Sequence, residues 1–306
     1  MARQPTLKQL KYLCAVAEHQ HFGRAAEASY VSQSTLSAGI QELEETLSAS
    51  LIERNNRKVL LTSLGLDVVT RAQSMLVDVE ELISLCAAAG EPFSGKMRLG
   101  VIPTIAPFIL PQLLSSLRAE HPNFKLYIRE DLSHQLVGAL HAGELDVLLL
   151  ALPFPAESVE VMSLMADDFL LASPCHHPLA NSATLVTADL EGEDLLLLED
   201  GHCLRDHALE ACKLRDSQIS VPYQATSLAT IVQMVANGIG VTLLPAMSVA
   251  SGITAGTDIE VTPFQKAGIA REIGLMWRRK TPRAAEFRML GDRVRACTRQ
   301  AVGATD

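Results

Sequence analysis

Aromatic residues and long apolar runs are both scarce in this chain of 306 residues. Phe, Trp and Tyr make up only 4% of it, so we expect a core of aliphatic strands and packed helices. No uninterrupted apolar run approaches the roughly 20 residues of a membrane span, and the N-terminus MARQPTLKQLKYL lacks the apolar segment of a signal peptide. These absences predict a cytoplasmic protein with no membrane partner.

Cysteine is rare as well, with six in the whole chain. Thiols are normally free in the reducing cytoplasm, so a disulfide formed there is more often a transient sensing device than a structural link. The net charge of −9 gives no sign of a nucleic-acid partner, but the charge is unevenly distributed. Residues 1–62 carry seven Lys and Arg against six Asp and Glu, whereas residues 63–306 carry 19 against 29. This asymmetry is compatible with a small nucleic-acid reader attached to an acidic module.

The first sixty residues have the pattern of three short helices followed by a hairpin. FGRAAEAS predicts the second helix, and STLSAGIQELEETL predicts the third, with Ser32 as its N-cap. The apolar face expected for the first helix consists of Leu7, Leu10, Leu13 and Val16. The stripe expected for the third consists of Leu36, Ile40, Leu43 and Leu47. Two extended runs, LIER and KVLLT, follow with the turn NNRK between them, which predicts a β-hairpin wing.

The run from FGRAAE through SQSTLS to LIER resembles the winged helix-turn-helix of LysR-type transcriptional regulators. The resemblance implies that the third helix lies in the major groove of double-stranded DNA. The polar residues that would read the groove are Ser32, Gln33, Ser34, Thr35, Ser37 and Gln41. Those that would contact phosphates are Arg54, Arg57 and Lys58. Ser34 stands where the family usually has proline, and Gln41 and Glu42 stand where it often has basic residues. Because fewer cations release fewer counterions, we expect a shallow dependence of binding on salt.

A long amphipathic helix is predicted to follow the hairpin, from Ser63 to about Gly90. Its apolar positions recur at helical spacing from Leu64 to Ile83, with no internal proline. Such a helix between two domains has an apolar seam to cover, and in the LysR family it resembles the dimerisation element. We therefore predict residues 1–62 as the DNA-binding domain, 63–90 as the linker and dimerisation helix, and 91–306 as the regulatory domain.

The regulatory part repeats one unit, in which an apolar strand, a polar segment and a helix follow one another. The alternation predicts α/β architecture with parallel sheets, and ligands of such folds bind beyond the carboxyl ends of the strands. The polar segments begin near Thr104, Ser133, Gly201 and Thr226. Crossing strands such as DDFLLASP and REIGLMWR suggest two subdomains with a cleft. This part resembles the periplasmic-binding-protein-like effector domain of the LysR family.

Two cysteines lie nine positions apart in EDGHCLRDHALEAC, a stretch that reads as helix after a buried strand. Nine helical steps separate Cys203 from Cys212 by roughly 13–14 Å and by about half a turn, whereas a disulfide requires Cα atoms within about 7 Å. The helix N-terminus, Arg205 and a protonated His202 would favour the Cys203 thiolate, and Glu199 and Asp200 would oppose it. Joining the two thiols therefore requires the helix to unwind, which would make oxidation a conformational switch.

The motif GHCLRD, together with VIPTIAPFILPQLL and ATSLATIVQMVANGIGVTLLP, closely resembles the hydrogen-peroxide-sensing activators of the LysR family. The resemblance implies that Cys203 is the peroxidatic thiol and Cys212 the resolving thiol. It implies a peroxide pocket made of Thr104, Ser133, His202, Arg205 and Asp206. It further implies a homotetramer built as a dimer of dimers, rearranged on oxidation to recruit RNA polymerase and reset by glutaredoxin or thioredoxin. No enzymatic activity, cofactor or metal is expected.

Alternative functions are open at this point. The chain could be a LysR-type regulator that binds a small carboxylate metabolite through Thr104, Ser133 and Thr226, with incidental thiols. It could also be a thiol peroxidase, although a DNA-binding part would then serve no purpose. A metal site made of Cys203, His207 and Cys212 is a further alternative, but Cys212 lies on another face of the helix. Three further cysteines fall inside predicted amphipathic helices and are expected to be core residues, namely Cys14, Cys86 and Cys297.

Overall fold

The computed structural model describes residues 4–55, 58–88, 92–212, 223–266 and 268–303. The chain divides into two compact units, one of residues 1–87 with 141–143, and one of residues 88–140 with 144–306. Among the described residues, no helix combines the length and the apolar character that crossing a membrane requires. Each unit has a hydrophobic core of its own, and the second unit has two.

The first unit contains three helices, a hairpin and a long fourth helix. Their bounds are α1 Leu7–His19, α2 Phe22–Ala28, α3 Gln33–Leu47, β1 Ile52–Asn55, β2 Lys58–Leu61 and α4 Ser63–Ala88. Helix α1 begins at a capping box, in which Thr6 and Gln9 exchange hydrogen bonds between side chain and backbone. The Oγ of Ser32 accepts a hydrogen bond from the Thr35 amide at 3.2 Å, which confirms Ser32 as the N-cap of α3.

The predicted apolar faces are confirmed in their centres and wrong at their ends. Leu10, Leu13 and Val16 of α1 are buried, as are Leu36, Ile40 and Leu43 of α3. Leu7 and Leu47 are instead 45% and 37% exposed, because the first turn of α1 and the last turn of α3 extend past the core. Strands β1 and β2 pair antiparallel, as the two extended runs predict.

Helix α4 keeps several large apolar side chains exposed. Val69 and Ala72 pack into the core of the first unit. The exposed apolar side chains of α4 are Leu64, Leu66, Met75 and Leu82. The helix ends at Ala88, close to the predicted boundary at residue 90. Of the predicted seam, Leu64, Leu66 and Leu82 are exposed, whereas Val69 and Ala72 are buried.

The second unit is built on one large sheet and one small one. The large sheet has seven described strands, in the order β10 Ile259–Pro263, β6 Val159–Pro174, β11 Ala270–Arg278, β5 Val147–Leu152, β3 Lys96–Val101 and β4 Lys125–Glu130, with β9 Thr242–Pro245 also paired to β6. Strands β7 Leu197–Leu198 and β8 Gln224–Ala225 form a short parallel pair. The helices are α5 Ala106–Glu120, α6 Ser133–His141, α7 Cys203–Cys212, α8 Leu228–Ala236, α9 Ala246–Ala250 and α10 Ala284–Gly303.

The large sheet is mixed, so the expected parallel pairing holds for only part of it. Strands β3, β4 and β5 are parallel, but β11 pairs antiparallel with both β5 and β6. The cause is that β6 and β11 return across the fold instead of following a helical crossover. Strand β6 is 16 residues long and contributes to both cores.

Two separate clusters of buried residues define the subdomains of this unit. We call the cluster around β3, β5, β11, α5 and α10 the first core, and the cluster around β7, α7, α8 and β9 the second core. The α/β regulatory domain with two subdomains, behind a mainly helical N-terminal part, is thus confirmed.

Candidate functional site

Three polar segments converge at one edge of the large sheet. Strands β3 and β4 are parallel neighbours, so the segments after their carboxyl ends bring Thr104 and Ser133 to the same edge. The start of α7 adds His202 and Cys203, and the four residues line a common cavity. The centre of a water-sized molecule can occupy about 10 Å³ there, which is room for roughly one water. The site therefore suits a very small polar ligand.

A buried arginine that lies far away in sequence organises this edge. Arg271 on β11 stands directly opposite Asp167 on β6 in the antiparallel register, and its Nε donates to Asp167 Oδ2 at 2.9 Å. Its Nη1 donates to the Thr104 hydroxyl at 2.8 Å, and its Nη2 to the Thr104 carbonyl at 2.9 Å. The second oxygen of Asp167 accepts from the Met247 amide at 3.0 Å. The guanidinium is thus fixed by its neighbours, and it fixes Thr104 in turn.

The environment of Cys203 contains opposing influences on its thiol. Burial raises the pKa of Cys203, while the Ser133 hydroxyl and the positive charge of Arg271 lower it and Asp206 raises it. The Ser133 oxygen is buried and lacks a well-formed hydrogen bond to any described group, so it is available to a ligand in the cavity. The thiol therefore lies among groups that can stabilise its anion, while burial opposes its ionisation.

His202 lines the cavity as a neutral ring. Burial lowers its pKa, and the opposing influence of Glu199 is smaller. Burial therefore disfavours the charged form of His202, the form that was expected to favour the thiolate. As a neutral imidazole, His202 can donate one hydrogen bond and accept another.

Helix α7 separates the two thiols and buries them in different cores. Cys203 packs against the first core, whereas Leu204, Ala208 and Cys212 belong to the second. The spacing of four residues between those three places them along one helical face. Both thiols are free, and the helix between them is continuous. The predicted separation of the reactive positions is therefore confirmed for this reduced form.

The predicted groove-reading residues lie on the exposed side of α3. Ser32, Gln33, Ser34 and Thr35 are exposed at its start, as is Gln41 two turns later, while Ser37 is half-buried. Ser32 Oγ also pairs with the hydroxyls of Ser34 and Thr35, at 2.9 and 2.8 Å. Arg54 and Lys58 belong to the two strands of the hairpin, and Arg57 lies outside the described residues.

The sequence matches two family models. One is the bacterial regulatory helix-turn-helix protein, lysR family, over residues 7–66, and the other is the LysR substrate binding domain, over residues 90–297. The chain belongs to the LysR family of regulators.

Its relatives include the Escherichia coli K12 DNA-binding transcriptional dual regulator OxyR, 40% identical over 95% of each chain. The regulator EstR of Acinetobacter baylyi is 39% identical over 97% of this chain and 99% of its own. Among solved structures, full-length Pseudomonas aeruginosa OxyR superposes with a TM-score of 0.78 at 37% identity, covering 96% of both chains. A Corynebacterium glutamicum OxyR mutant with bound H2O2 gives 0.68 at 34% identity, covering 99% of this chain and 95% of its own.

Not all residues predicted for the pocket of this LysR-type regulator meet there. Thr104, Ser133, His202 and Cys203 line the cavity, whereas Arg205 and Asp206 do not. Arg205 forms an ion pair with Asp200, and Asp206 is exposed. The fourth polar segment also lies elsewhere, because Ser227 caps α8 through the Thr230 amide.

Sequence reasoning missed Arg271. The available signal was a charged residue at the start of the return strand REIGLMWR, and its partner Asp167 stands in DDFLLASP, 104 residues earlier. Sequence proximity favoured Arg205 as the cation that acts on Cys203, but Arg271 is the one whose charge lowers the pKa of that thiol.

The remaining described cysteines lie apart from this pocket. Cys297 is buried and Cys14 half-buried, and burial raises the pKa of Cys14 to about 11. Cys175 is exposed, and Cys86 has a side chain outside the described set. Within the described part of the chain, no three His, Cys, Asp or Glu side chains are grouped to hold a metal ion.

Proposed function

We propose that this LysR-type regulator senses hydrogen peroxide through reversible formation of a Cys203–Cys212 disulfide. The observation that carries the proposal is the position of Cys203, which opens into a cavity of about 10 Å³ beside Thr104 and Ser133. Its partner Cys212 is anchored in another core at the far end of α7. The relatives named as OxyR, and the peroxide-bound structure among them, support the same ligand.

In the first step, the Cys203 thiolate attacks one oxygen of the peroxide and the O–O bond breaks. The leaving hydroxide takes up a proton and departs as water, which leaves a sulfenic acid on Cys203. The hydroxyls of Thr104 and Ser133 and the ring of His202 line the cavity in which the oxygens would lie. Arg205 and Asp206, which the resemblance assigns to the pocket, do not line the cavity in this reduced form.

In the second step, the Cys212 thiolate attacks the Cys203 sulfur and displaces the hydroxyl, which leaves as a second water. The two electrons taken from the thiols have by then reduced one peroxide. Because about 13–14 Å of helix separates the two residues, α7 must unwind for the sulfurs to meet. Leu204 and Ala208 would then leave the second core, which transmits the change to the surface.

The oxidised form is expected to change how the protein is assembled on DNA. We propose that α3 reads the major groove, that Arg54, Arg57 and Lys58 contact phosphates, and that the exposed apolar face of α4 pairs subunits. Pairs of dimers would form a homotetramer that recruits RNA polymerase in the cytoplasm. Each oxidation consumes one peroxide, and a glutaredoxin or thioredoxin must reduce the disulfide before the protein can react again. The protein therefore acts as a sensor and not as an enzyme.

A stoichiometric peroxide pulse tests the proposal, followed by peptide mapping, far-UV circular dichroism and operator footprinting. We expect a Cys203–Cys212 link, loss of helical signal and an altered footprint. Cys203→Ser should abolish all three changes, and Cys212→Ser should stop at the sulfenic acid. Cys297→Ser, which alters another buried thiol, should respond like the wild type. A normal footprint change in Cys203→Ser would refute peroxide sensing by this thiol.

A second candidate is a regulator that responds to a small carboxylate metabolite. The family model over residues 90–297 is that of the LysR substrate binding domain, which favours this candidate. The small volume of the cavity beside Thr104 and Ser133 opposes it, since a carboxylate with a carbon chain needs several times the space of one water. In that case Cys203→Ser would respond to its ligand normally and the wild type would ignore peroxide.

A further inference from the structure

Tyr30 is the most exposed large apolar or aromatic side chain in the part of the chain that the structure describes, at 96%. It lies in the turn between α2 and α3, and its hydroxyl has no hydrogen-bond partner among the described residues. A single exposed apolar side chain is ordinary on a protein surface, so exposure alone assigns it no role. The conformation of its backbone, however, distinguishes Tyr30 from the other exposed apolar residues.

The backbone of Tyr30 lies in the left-handed region that favours glycine, with a φ of +54°. Helix α2 ends there in a Schellman motif, in which the Tyr30 amide donates to the Glu27 carbonyl and the Val31 amide to the Ala26 carbonyl, both at 3.0 Å. A β-carbon in this conformation approaches the following carbonyl oxygen, which destabilises the turn. The exposed ring does not offset this cost by packing on the core. Folding therefore gives no reason for a bulky aromatic residue at this position.

Anchored residues on both sides hold Tyr30 in place. Ala26 is buried in the core of the first unit, and Val31 packs against the same core. Ser32 then caps α3, with its Oγ accepting from the Thr35 amide at 3.2 Å. The backbone that carries the ring is therefore fixed beside the exposed start of α3, so little conformational entropy is lost when the side chain binds a partner.

We infer that Tyr30 is part of the DNA interface and donates its hydroxyl to a phosphate oxygen at the edge of the groove that α3 enters. The inference rests on the proposed function, in which the start of α3, two residues after Tyr30, lies in the major groove. Backbone strain that folding does not explain is typical of functional sites. Tyrosine hydroxyls are among the neutral groups that contact DNA phosphates and fix the register of a protein on the duplex.

The charge of the first unit is consistent with a neutral phosphate donor. Residues 1–62 carry only seven Lys and Arg against six Asp and Glu, so few cations are available for the phosphates. A hydroxyl supplies a contact without a cation and releases no counterion. The contribution of Tyr30 to DNA binding should therefore be the same at all salt concentrations and for all sequences.

Two variants of Tyr30 and one matched control separate DNA contact from backbone strain. Tyr30→Phe keeps the ring and removes the hydroxyl, whereas Tyr30→Gly removes the whole side chain and relieves the strain. Ser48→Gly is the control, because Ser48 has a φ of +50° at the other end of the 15-residue helix α3. Its turn has the same pair of hydrogen bonds, from the Ser48 amide to the Glu45 carbonyl at 3.2 Å and from the Ala49 amide to the Glu44 carbonyl at 3.0 Å.

Fluorescence anisotropy of the reduced full-length protein provides the test, with two labelled duplexes titrated over a range of salt. One duplex is selected by the wild-type protein from a random-sequence pool, and the other is an unrelated duplex of equal length. Tyr30→Phe should bind both about three- to tenfold more weakly, with an unchanged salt slope. Tyr30→Gly should bind more weakly still, yet unfold at or above the wild-type temperature. Ser48→Gly should be equally stable and bind like the wild type.

Wild-type affinity of Tyr30→Phe for both duplexes would overturn the inference. A loss confined to the selected duplex would overturn it as well, since it would mean that Tyr30 reads a base. Gln33→Ala, a change at the exposed start of α3, separates this failure from that of the proposed function. Weaker binding by Gln33→Ala alone would reject the role of Tyr30 and leave α3 in the groove. Wild-type binding by both variants would also reject the proposed reading of DNA by α3.

Discussion

Arg271 and Thr104 are joined by two hydrogen bonds, one to the Thr104 hydroxyl at 2.8 Å and one to its carbonyl at 2.9 Å. The hydroxyl oxygen accepts from the guanidinium, so its own proton is free to point elsewhere. Since Thr104 lines the cavity beside Cys203, this arrangement makes the hydroxyl a donor toward whatever occupies the cavity. Arg271 thereby acts at the site twice, through its charge and through Thr104.

Replacement of Arg271 should raise the pKa of Cys203 and slow its reaction with peroxide at neutral pH. Arg271→Met removes the charge that lowers this pKa, whereas Arg271→Lys keeps a charge but cannot make the same set of hydrogen bonds. The pKa of Cys203 in the lysine variant should therefore lie between its values in the wild type and in the methionine variant. The measurement is the rate of Cys203 alkylation against pH in a Cys212→Ser background.

The same variants should differ in stability. Arg271→Met leaves Asp167 buried without its ion-pair partner, which typically costs about 3–5 kcal/mol, and urea unfolding reports this loss. Arg271→Lys should lose less and serves as the folded comparison if the methionine variant is too unstable to titrate. Identical Cys203 titration in wild type and Arg271→Lys, with slower reaction only where the protein is destabilised, would show that Arg271 acts through folding alone.

Ser133→Ala should slow the oxidation of Cys203 without loss of stability. Its buried hydroxyl has no well-formed hydrogen bond, so its removal relieves an unsatisfied polar group and should be neutral or stabilising. The hydroxyl nevertheless lowers the pKa of Cys203, and that influence disappears in the variant. Stopped-flow measurement of sulfenic acid formation, alongside thermal unfolding, checks both expectations.

Ser173→Ala is the matched control for this experiment. Ser173 is likewise buried with an unsatisfied hydroxyl, but it lies on β6 and does not line the cavity. The Ser173→Ala variant should be as stable as Ser133→Ala, and its Cys203 should be oxidised at the wild-type rate. Equal oxidation rates in all three proteins would show that Ser133 does not contribute to the oxidation of Cys203.

The features that the sequence predicts well are those that depend on neighbouring residues. Ser32 as a helix cap, the stripe from Leu36 to Leu43 and the helix between Cys203 and Cys212 all follow from spacing within one element. The ends of such stripes are harder to predict, because other elements determine how far the core extends. Leu47, which was expected in the stripe and is exposed, is an example.

Features that arise from sheet register cannot be read from local spacing. Arg271 reaches the site because β11 pairs antiparallel with β6, and no local pattern in the chain reveals that register. Arg205 was the expected cation because it is two residues from Cys203, but its side chain pairs with Asp200.

Ser32→Ala should weaken DNA binding, and a second serine separates this effect from helix capping. Ser32 caps α3 through the Thr35 amide at 3.2 Å, and Ser227 caps α8 through the Thr230 amide at 3.2 Å. Each alanine variant should lose about 1 kcal/mol of stability in its own unit. Only Ser32→Ala should lower operator affinity in a fluorescence anisotropy titration. Equal affinity in both variants would place the start of α3 outside the DNA interface.

Alkylation of the reduced protein should distinguish Cys212 from the exposed Cys175 by a large factor. Burial raises the pKa of Cys212 to about 12 from an ordinary value of 9.0, so folding lowers its thiolate fraction near pH 8 by roughly a thousandfold. An iodoacetamide time course in Cys203→Ser, read by peptide mass, should label Cys175 early and Cys212 only when α7 opens. Cys297, buried in α10, is the control for general unfolding. Conditions that release α7 should accelerate the labelling of Cys212 and leave that of Cys297 unchanged. Equal acceleration at Cys297 would mean that the whole unit unfolds and that α7 is not an independent switch.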